Sequence, residues 1–271
     1  MSGRFAWLVP AELWDVAEPL IEGPAVRPQG GGKARSDDEA VFAAIIFVLV
    51  TGCTWRKLPP VFGVSWQTVH RRYGQWTRAG LWRRLHRAVL DNLGSRGMLD
   101  WSRTVVDAAS VRARRGGPHT GPSPVDLGKN GSTLHLLTDA FGLPVAVAVS
   151  GANTHDSNAL QPLVRAIPAV TSRRGPRRRK PAKLHADKGY DYTHLRRWLR
   201  ERNITPRIAR KGIEPSDRLG RHRWVVERSF AWTGNYRRLT TRWERKASHF
   251  LGFLTLAATL ICHKHYLKHT I

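Results

Sequence analysis

The chain has 271 residues, with 45 Lys and Arg against 20 Asp and Glu, so its formal net charge is +25. This length can bury a sizeable core and predicts two domains. A hydrophobic content of 41% and eleven tryptophans argue against a disordered polycation or a histone-like protein. The charge favours a nucleic acid as partner. An anionic membrane is a weaker alternative, because the basic residues are spread along the chain, and no membrane partner is expected.

Cysteine usage and the N-terminal sequence indicate the compartment. Cys53 and Cys262 are the only cysteines, and neither has a CxxC partner, so the sequence predicts no zinc motif or disulfide framework. The N-terminus lacks a secretory signal pattern. The apolar runs 40–50 and 250–262 are too short to span a bilayer and are predicted to be core helices. We therefore expect a cytoplasmic, nucleoid-associated protein.

The first 98 residues are predicted to form an all-helical domain. An opening helix is expected over 4–22 and a Gly- and Pro-rich linker over 27–35. The sequence from Ser36 to Glu39 fits a capping box that starts a buried helix, and Gly52 ends that helix. A short helical segment is expected over 55–58, and a helix at i+4 spacing over 81–93 leads into the second domain.

A second helix in this region is predicted to contact DNA. Ser65 caps it, and Val69, Tyr73 and Trp76 form its apolar face. The opposite face carries the polar and basic side chains Gln67, His70, Arg71 and Arg72. This layout is typical of a helix-turn-helix, whose second helix enters the major groove. A plain helical bundle with a solvated basic face is the alternative.

From residue 99 onward the pattern predicts an α/β domain that extends to residue 271. Strands are expected over 103–107, 132–139, 143–150, 183–187 and 204–208, and helices over 156–167, 192–202, 223–236 and 247–267. Three antiparallel strands followed by alternating strands and helices indicate a mixed sheet flanked by helices.

A basic loop over 172–180 precedes the fourth of these strands. Its cations include Arg177, Arg178, Arg179 and Lys180, which we expect to contact phosphates. A solvated charged loop is the alternative.

Three acids are the candidate catalytic residues. Asp107 and Asp187 each end a short apolar strand, 80 residues apart, and Glu227 lies 40 residues further on in a predicted helix. Carboxylates from separate rigid elements are the ligands that Mg²⁺ needs for phosphodiester chemistry. The sequence therefore predicts a magnesium site formed by these three acids.

Other polar and aromatic residues near these motifs have simpler interpretations. Asp139 suits a turn, and Asp156 and Asp191 suit helix N-caps. The acids Asp126, Glu214 and Asp217 are expected in solvated loops. His185 is expected to be an interior histidine, and the histidines 263, 265 and 269 are expected on an exposed helix. Trp224 and Trp243 could stack on a base, but core packing is the default interpretation.

Three motifs together resemble the DDE transposases of bacterial insertion sequences, specifically the family named after insertion sequence five. The sequences VDAAS at 106–110, ADKGYD at 186–191 and RWVVERSFAW at 223–232 are similar to its three catalytic blocks. The segments 51–59 and 66–76 resemble its N-terminal helix-turn-helix region. The wider pattern Y-x2-R-x3-E-x6-K is matched at Arg223 and Glu227, whereas Gly220 and Gly234 stand at its tyrosine and lysine positions.

This resemblance implies a fold, a reaction and a set of roles. The fold is a ribonuclease-H-like mixed sheet, and the reaction is metal-dependent cleavage and strand transfer of DNA. Two Mg²⁺ ions, for which Mn²⁺ can substitute, are bound with Asp107 bridging both, Asp187 on one and Glu227 on the other. Arg223 contacts phosphate, with Arg237 or Arg238 in place of the missing lysine. The partners are the double-stranded transposon ends and target DNA, and pairing of two ends implies a homodimer on DNA.

Two other functions compete with a transposase. One is a helix-turn-helix regulator whose second domain is catalytically inactive, and the other is a structure-selective nuclease on the same fold. The convergent acids favour an enzyme over a regulator. Joining of a cleaved 3′ end to a second DNA distinguishes a transposase from a nuclease.

Overall fold

A computed structural model describes residues 4–23, 35–212 and 220–268, with the side chains of 220–223 outside the description. The first part is helical. Its helices are α1 (Ala11–Ala17), α2 (Asp38–Thr51), α3 (Trp66–Arg78) and α4 (Leu81–Ser95), with short 3-10 turns at Glu18–Leu20, Trp55–Lys57 and Pro60–Phe62. The expected linker over 27–35 lies outside the described residues except for Arg35.

The helix expected over 4–22 is shorter than predicted. Residues 4–9 form turns, α1 begins after Pro10, and the α-helical bonding ends at Ala17. Pro19 then lies in a 3-10 turn. A proline has no N–H with which to continue the ladder of an α-helix, and this is the physical reason for the early end.

Side-chain caps set the ends of the next two helices. The N-cap of α2 is Asp37, whose side chain accepts a hydrogen bond from the N–H of Glu39, so the predicted capping by Ser36 is wrong by one residue. Gly52 ends α2 with a left-handed φ of 70°, as expected. The predicted cap of α3 is confirmed, because Ser65 Oγ accepts from the N–H of Thr68.

In the part of the chain that the structure describes, the second part contains a seven-stranded sheet. Its strands are β1 (Thr104–Ala113), β2 (Gly121–Pro122), β3 (Asn130–Thr138), β4 (Pro144–Gly151), β5 (Lys183–Ala186), β6 (Thr205–Ile208) and β7 (Thr241–Arg242). Strand β3 pairs antiparallel with β1 and β4, whereas β5 pairs parallel with β1 and β6. The main order β4-β3-β1-β5-β6 is the ribonuclease-H-like arrangement, so the predicted mixed sheet is confirmed.

Helices α5 (Ser157–Ala166), α6 (Thr193–Arg200), α7 (Gly220–Gly234) and α8 (Ala247–Lys268) accompany the sheet. Helix α7 packs against β1 and β3, and α8 packs against α4 and β4. The expected core helices are confirmed at α2 and α8, which are buried along most of their length.

The two parts share one buried core. Ile45 of α2, Val105 of β1 and Phe253 of α8 belong to the same hydrophobic cluster. The helical part ends at Ser95 and the sheet begins at Thr104, on either side of the predicted domain boundary at 98/99. The division into two domains stays a prediction.

One described helix, α8, is long and apolar enough to cross a membrane by length and composition. However, 72% of its most apolar window is buried inside the protein. A helix covered in this way by protein has the burial expected of a core helix.

Candidate active site

Two of the predicted catalytic acids are neighbours in the sheet. Strands β1 and β5 are parallel, with Thr104 opposite Leu184 and Val105 opposite His185. Continuing this register by two residues places Asp107 beside Asp187, on strands that are separated by about 4.8 Å. Paired positions of parallel strands project to the same face of the sheet. The two acids predicted to work together are therefore brought together by the fold.

Backbone hydrogen bonds orient both carboxylates. Asp107 Oδ1 accepts from the N–H of Ala108, and Asp187 Oδ1 accepts from the N–H of Gly189, each at 2.9 Å. A Cβ at position 189 would lie 3.0 Å from that same oxygen of Asp187, so glycine lets the backbone approach the carboxylate closely. Both aspartates are half-buried. The pair is thus fixed in orientation while part of each side chain reaches solvent.

A third acid, Asp156, lies near this pair. It was predicted to cap a helix, but at the N-terminus of α5 its side chain makes no capping hydrogen bond. Burial raises its pKa, the charge of His155 lowers it, and the negative charges of Asp187 and Asp107 raise it further. Asp156 thus occupies the predicted N-cap position of α5 but does not cap the helix through its side chain. The sequence offered little sign that Asp156 would lie near the acid pair, because an acid before a helix is most simply a cap.

Glu227, the third predicted ligand, lies on α7. The helix is fixed to the turn between β3 and β4, where Ser229 Oγ donates to the carbonyl of Gly142 at 2.6 Å. Val225 and Val226 are buried, whereas the side chain of Glu227 is exposed. Within 4–23, 35–212 and 220–268, no three His, Cys, Asp or Glu side chains are gathered closely enough to hold a metal ion. Glu227 therefore does not form a closed trio with the aspartates in this structure.

The predicted DNA-contacting face of α3 is only partly available to solvent. Gln67, His70 and Arg71 are exposed. Arg72 is not, because its guanidinium forms an ion pair with Asp38 of α2 and its side chain is only 13% exposed. The guanidinium also lies 5.1 Å from the ring centroid of Trp76. The outward orientation predicted for Arg72 is therefore wrong, since the charge binds two helices together.

The basic loop is exposed, but part of it is engaged by the protein. Arg177 donates to both carboxylate oxygens of Asp91 and to the carbonyl of Ala169. Arg178 pairs with Val170 through its backbone, and its side chain, like those of Arg179 and Lys180, is exposed. The loop leads into the first residue of β5, whereas Asp187 follows the last residue of that strand. The loop and Asp187 therefore lie at opposite ends of β5.

Comparison with known proteins identifies the family of the chain. A family model described as "Transposase DDE domain" matches residues 101–262, which include all three predicted catalytic acids. The chain belongs to this family. A second model, "Putative transposase of IS4/5 family", matches residues 9–86. The transposase thus has the predicted family identity, and it is an enzyme whose family works with divalent metal ions.

Individual relatives agree with this placement. The transposase is 46% identical over 149 residues to "Putative transposase for insertion sequence element IS402" of Burkholderia cepacia, which covers 55% of this chain and 71% of the relative. It is 38% identical over 119 residues to "Insertion element IS402 uncharacterized 16.2 kDa protein" of the same organism, covering 43% and 81%. The structure titled "Crystal structure of the Mos1 Strand Transfer Complex" is 14% identical, with a TM-score of 0.30 over 90% of this chain and 81% of that chain. That resemblance is too distant to bear on the site.

One further predicted DNA contact of the transposase is wrong. Arg238 is only 5% exposed, and it donates from Nε to Glu244 Oε1 at 2.7 Å and from its NH1 group to the carbonyl of Cys53 at 3.0 Å. A buried arginine with these partners cannot contact phosphate in place of the lysine that the family pattern has at the position of Gly234. Arg237 is exposed, and the side chain of Arg223 lies outside the description.

The remaining acids give mixed outcomes. Asp139 forms a turn as predicted, because its Oδ1 accepts from the N–H groups of Phe141 and Leu143, and burial raises its pKa to about 7. Asp191 was predicted to be an N-cap, but the residue at that position of α6 is Tyr192. Asp191 instead accepts a hydrogen bond from the N–H of Lys211, which lowers its pKa, and pairs with Arg196. Glu214 and Asp217 lie outside the described residues.

Three aromatic predictions are also corrected. Trp224 and Trp243 are 52% and 44% exposed, so neither is the core residue that was expected. His263, expected on an exposed helix face, is 3% exposed because α8 is covered by its neighbours. Exposure leaves both tryptophans available for contact with a ligand.

Proposed function

We propose that this transposase binds the terminal inverted repeats of an insertion sequence and catalyses Mg²⁺-dependent DNA cleavage and strand transfer. The observation that carries the proposal is the parallel register of β1 and β5, which sets Asp107 beside Asp187. An acid pair on one sheet face, in a chain of net charge +25, is suited to divalent cations and phosphates.

The acids fit a magnesium site by their chemistry. Mg²⁺ prefers oxygen ligands and is commonly bound through one or two carboxylates together with substrate phosphates. We assign Asp107 to both of two ions, Asp187 to one and Glu227 to the other, with Mn²⁺ able to substitute. Such ions lower the pKa of the attacking water and stabilise the charge on the phosphate.

The protein contributes orientation. The hydrogen bonds from Ala108 and Gly189 keep the two aspartate carboxylates in place before DNA arrives. Preorganised groups need not be rearranged during the reaction, which lowers its barrier. Glu227 lies on α7, which is held to the sheet through Ser229, and it would have to move toward the aspartates to share an ion with them.

Several exposed groups supply the proposed DNA contacts. On α3 these are Gln67, His70 and Arg71, which would read the transposon end. The loop cations Arg178, Arg179 and Lys180, together with Arg237 and Arg223, would contact phosphates. Binding of two ends suggests a homodimer assembled on DNA, in the cytoplasm at the nucleoid.

An Asp107→Asn variant tests the catalytic proposal. We expect Mg²⁺-dependent cleavage of DNA containing the element's end to fall by at least about 100-fold, since even the outer partners of metal ligands contribute 10- to 100-fold. Binding of the same DNA, measured by fluorescence anisotropy, should be retained. The matched control is Asp15→Asn, at an exposed position on α1.

Two results would remove the proposal. Undiminished cleavage by Asp107→Asn would show that this carboxylate is not a ligand. Wild-type protein that binds the end but never cleaves it with Mg²⁺ or Mn²⁺ would indicate a DNA-binding regulator. A joined product between the cleaved 3′ end and a second DNA distinguishes the transposase from a nuclease.

A further inference from the structure

A cationic pocket opens at the edge of the sheet, near the acid pair. It has a volume of about 400 Å³ and is lined by residues just before β1, within β5 and within β6. These residues are Ser102, Arg103, Lys183, His185 and Arg207. Among the described residues, this lining includes no carboxylate that would compensate its positive charge.

The pocket lies on the same sheet face as the acid pair. In β5, Lys183, His185 and Asp187 alternate and therefore project to one face. The register places Arg207 of β6 opposite His185, and its continuation places Arg103 opposite Lys183. The cationic positions precede the aspartates by two and four residues, or about 7 and 13 Å along the strands.

The two arginines and the lysine of the pocket have no anionic partner in the described ranges. Arg103, Lys183 and Arg207 form no ion pair there, although acids elsewhere in the same ranges pair with arginines. Arg103 also has a buried Nε with no hydrogen-bond partner. A buried donor without a partner is unfavourable unless a ligand satisfies it. The pocket therefore has the shape, charge and unsatisfied donor of an anion site.

We propose that this pocket binds a backbone phosphate of the DNA strand next to the phosphate held at the acid pair. The proposal rests on the proposed function for the identity of the anion as DNA. A strand whose scissile phosphate lies at Asp107 and Asp187 can place a neighbouring phosphate over His185 and Arg207. Arginine suits this role, because its planar guanidinium donates two parallel hydrogen bonds to phosphate oxygens.

The first test measures the salt dependence of binding. The probe is a labelled duplex containing the element's terminal DNA, bound in Ca²⁺ buffer at a series of KCl concentrations. The variant Arg103→Gln/Arg207→Gln should reduce the slope of log Kd against log salt by about 0.9, the contribution of the one phosphate contact that the pocket is proposed to make. The control Arg83→Gln/Lys268→Gln removes the same charge from exposed positions on α4 and α8 and should leave the slope unchanged.

The second test locates the phosphate. Single phosphates around the cleavage point are replaced by neutral methylphosphonates, one in each duplex. Wild-type affinity should fall at one or two positions beside the scissile phosphate. The Gln variant should lose that sensitivity there and keep it elsewhere, whereas Arg103→Lys/Arg207→Lys should retain part of it. If the double Gln variant does not fold, the exposed single variant Arg207→Gln carries the same measurement.

The outcomes separate this inference from the proposed function. An unchanged slope and an unchanged methylphosphonate pattern in the Gln variant would overturn the pocket assignment even if the wild type cleaves DNA. A lost position in the pattern supports the pocket even if the wild type fails to cleave, in which case only the catalytic proposal falls.

Discussion

The buried pair of Arg238 and Glu244 offers the sharpest test of why Arg238 is not available for contact with DNA. The side chains are only 6% and 4% exposed, and the NH2 group of Arg238 lies 2.6 Å from Glu244 Oε1. The substitution Glu244→Gln removes one charge and leaves the guanidinium of Arg238 buried without its counter-ion. Breaking a buried ion pair in this way typically costs about 3–5 kcal/mol.

The lower end of this range is expected here. Arg238 would keep its hydrogen bond to the carbonyl of Cys53 and its position near the rings of Trp55 and Phe253, at 5.8 and 5.7 Å from their centroids. Glu244 Oε2 is buried without a hydrogen-bond partner, so the original pair is not fully satisfied. We expect the free energy of unfolding to fall by about 3 kcal/mol, and Tm by about 6–12 °C.

Urea unfolding followed by tryptophan fluorescence measures this loss, and calorimetry gives Tm. The matched control is Glu201→Gln, which breaks the exposed pair with Arg197 at 3.9 Å and should cost less than about 0.5 kcal/mol. Equal small losses in both variants would refute the reasoning, because they would mean that Arg238 is solvated and available to DNA. The double variant Arg238→Met/Glu244→Leu should recover much of the loss, since no charge then stays buried.

Two further predictions concern helix α3 and acid stability. If Arg71 reads a base, Arg71→Gln should weaken binding of the element's end by about 1–3 kcal/mol and leave the free energy of unfolding unchanged. In contrast, Arg72→Gln should lower the free energy of unfolding by about 1 kcal/mol, because the pair with Asp38 is lost. Anisotropy and urea unfolding measure the two effects, and the reverse pattern would contradict the assignment. Burial lowers the pKa of His86 and His135 from 6.5 to about 4, so the unfolded chain binds more protons between these values and stability is lost as the pH falls from 6.5 to 4. His86→Gln should flatten unfolding free energy against pH in that window, and an unchanged slope would show that His86 does not carry it.

The positions of Asp107 and Asp187 could be predicted because they depend on local patterns. Asp187 directly follows β5 as predicted, whereas the strand end predicted at Asp107 is wrong, because β1 continues to Ala113. The parallel register of β1 and β5 nevertheless brings the two acids together. The caps at Ser65 and Gly52 are local for the same reason. Short-range rules therefore suffice for several helix ends, whereas the pairing of the two acids also depends on strand order and register.

The errors arise where a distant partner decides the outcome. Arg72 pairs with Asp38, 34 residues away, and Arg238 bonds to Cys53, 185 residues away. Periodicity assigns a side chain to one face of its own helix, but it does not reveal which other element covers that face. His263 was misplaced in the same way, because the packing of α8 against its neighbours covers a face that was expected to be polar.

The cationic pocket was missed for a related reason. Arg103 directly precedes β1, whereas Lys183 lies on β5 and Arg207 on β6, and none of them belongs to a conspicuous basic run. The density of charge at 172–180 predicted phosphate contacts there instead, although Arg177 in that run forms an ion pair with Asp91. Strand register, which sequence alone does not provide, is what assembles the pocket.

The position of helix α8 near the C-terminus determines when the early helices can complete their packing. The hydroxyl of Tyr73 donates to the carbonyl of His249, 176 residues later, and Phe253 lies with its ring centroid 4.4 Å from that of Tyr73. A ribosome must therefore translate past residue 253 before the early helices gain their permanent neighbours, and contacts of such long range slow folding. A truncated chain that ended before α8 would expose the apolar sides of α3 and α4 to solvent. Such exposure favours aggregation and proteolysis over partial enzymatic activity.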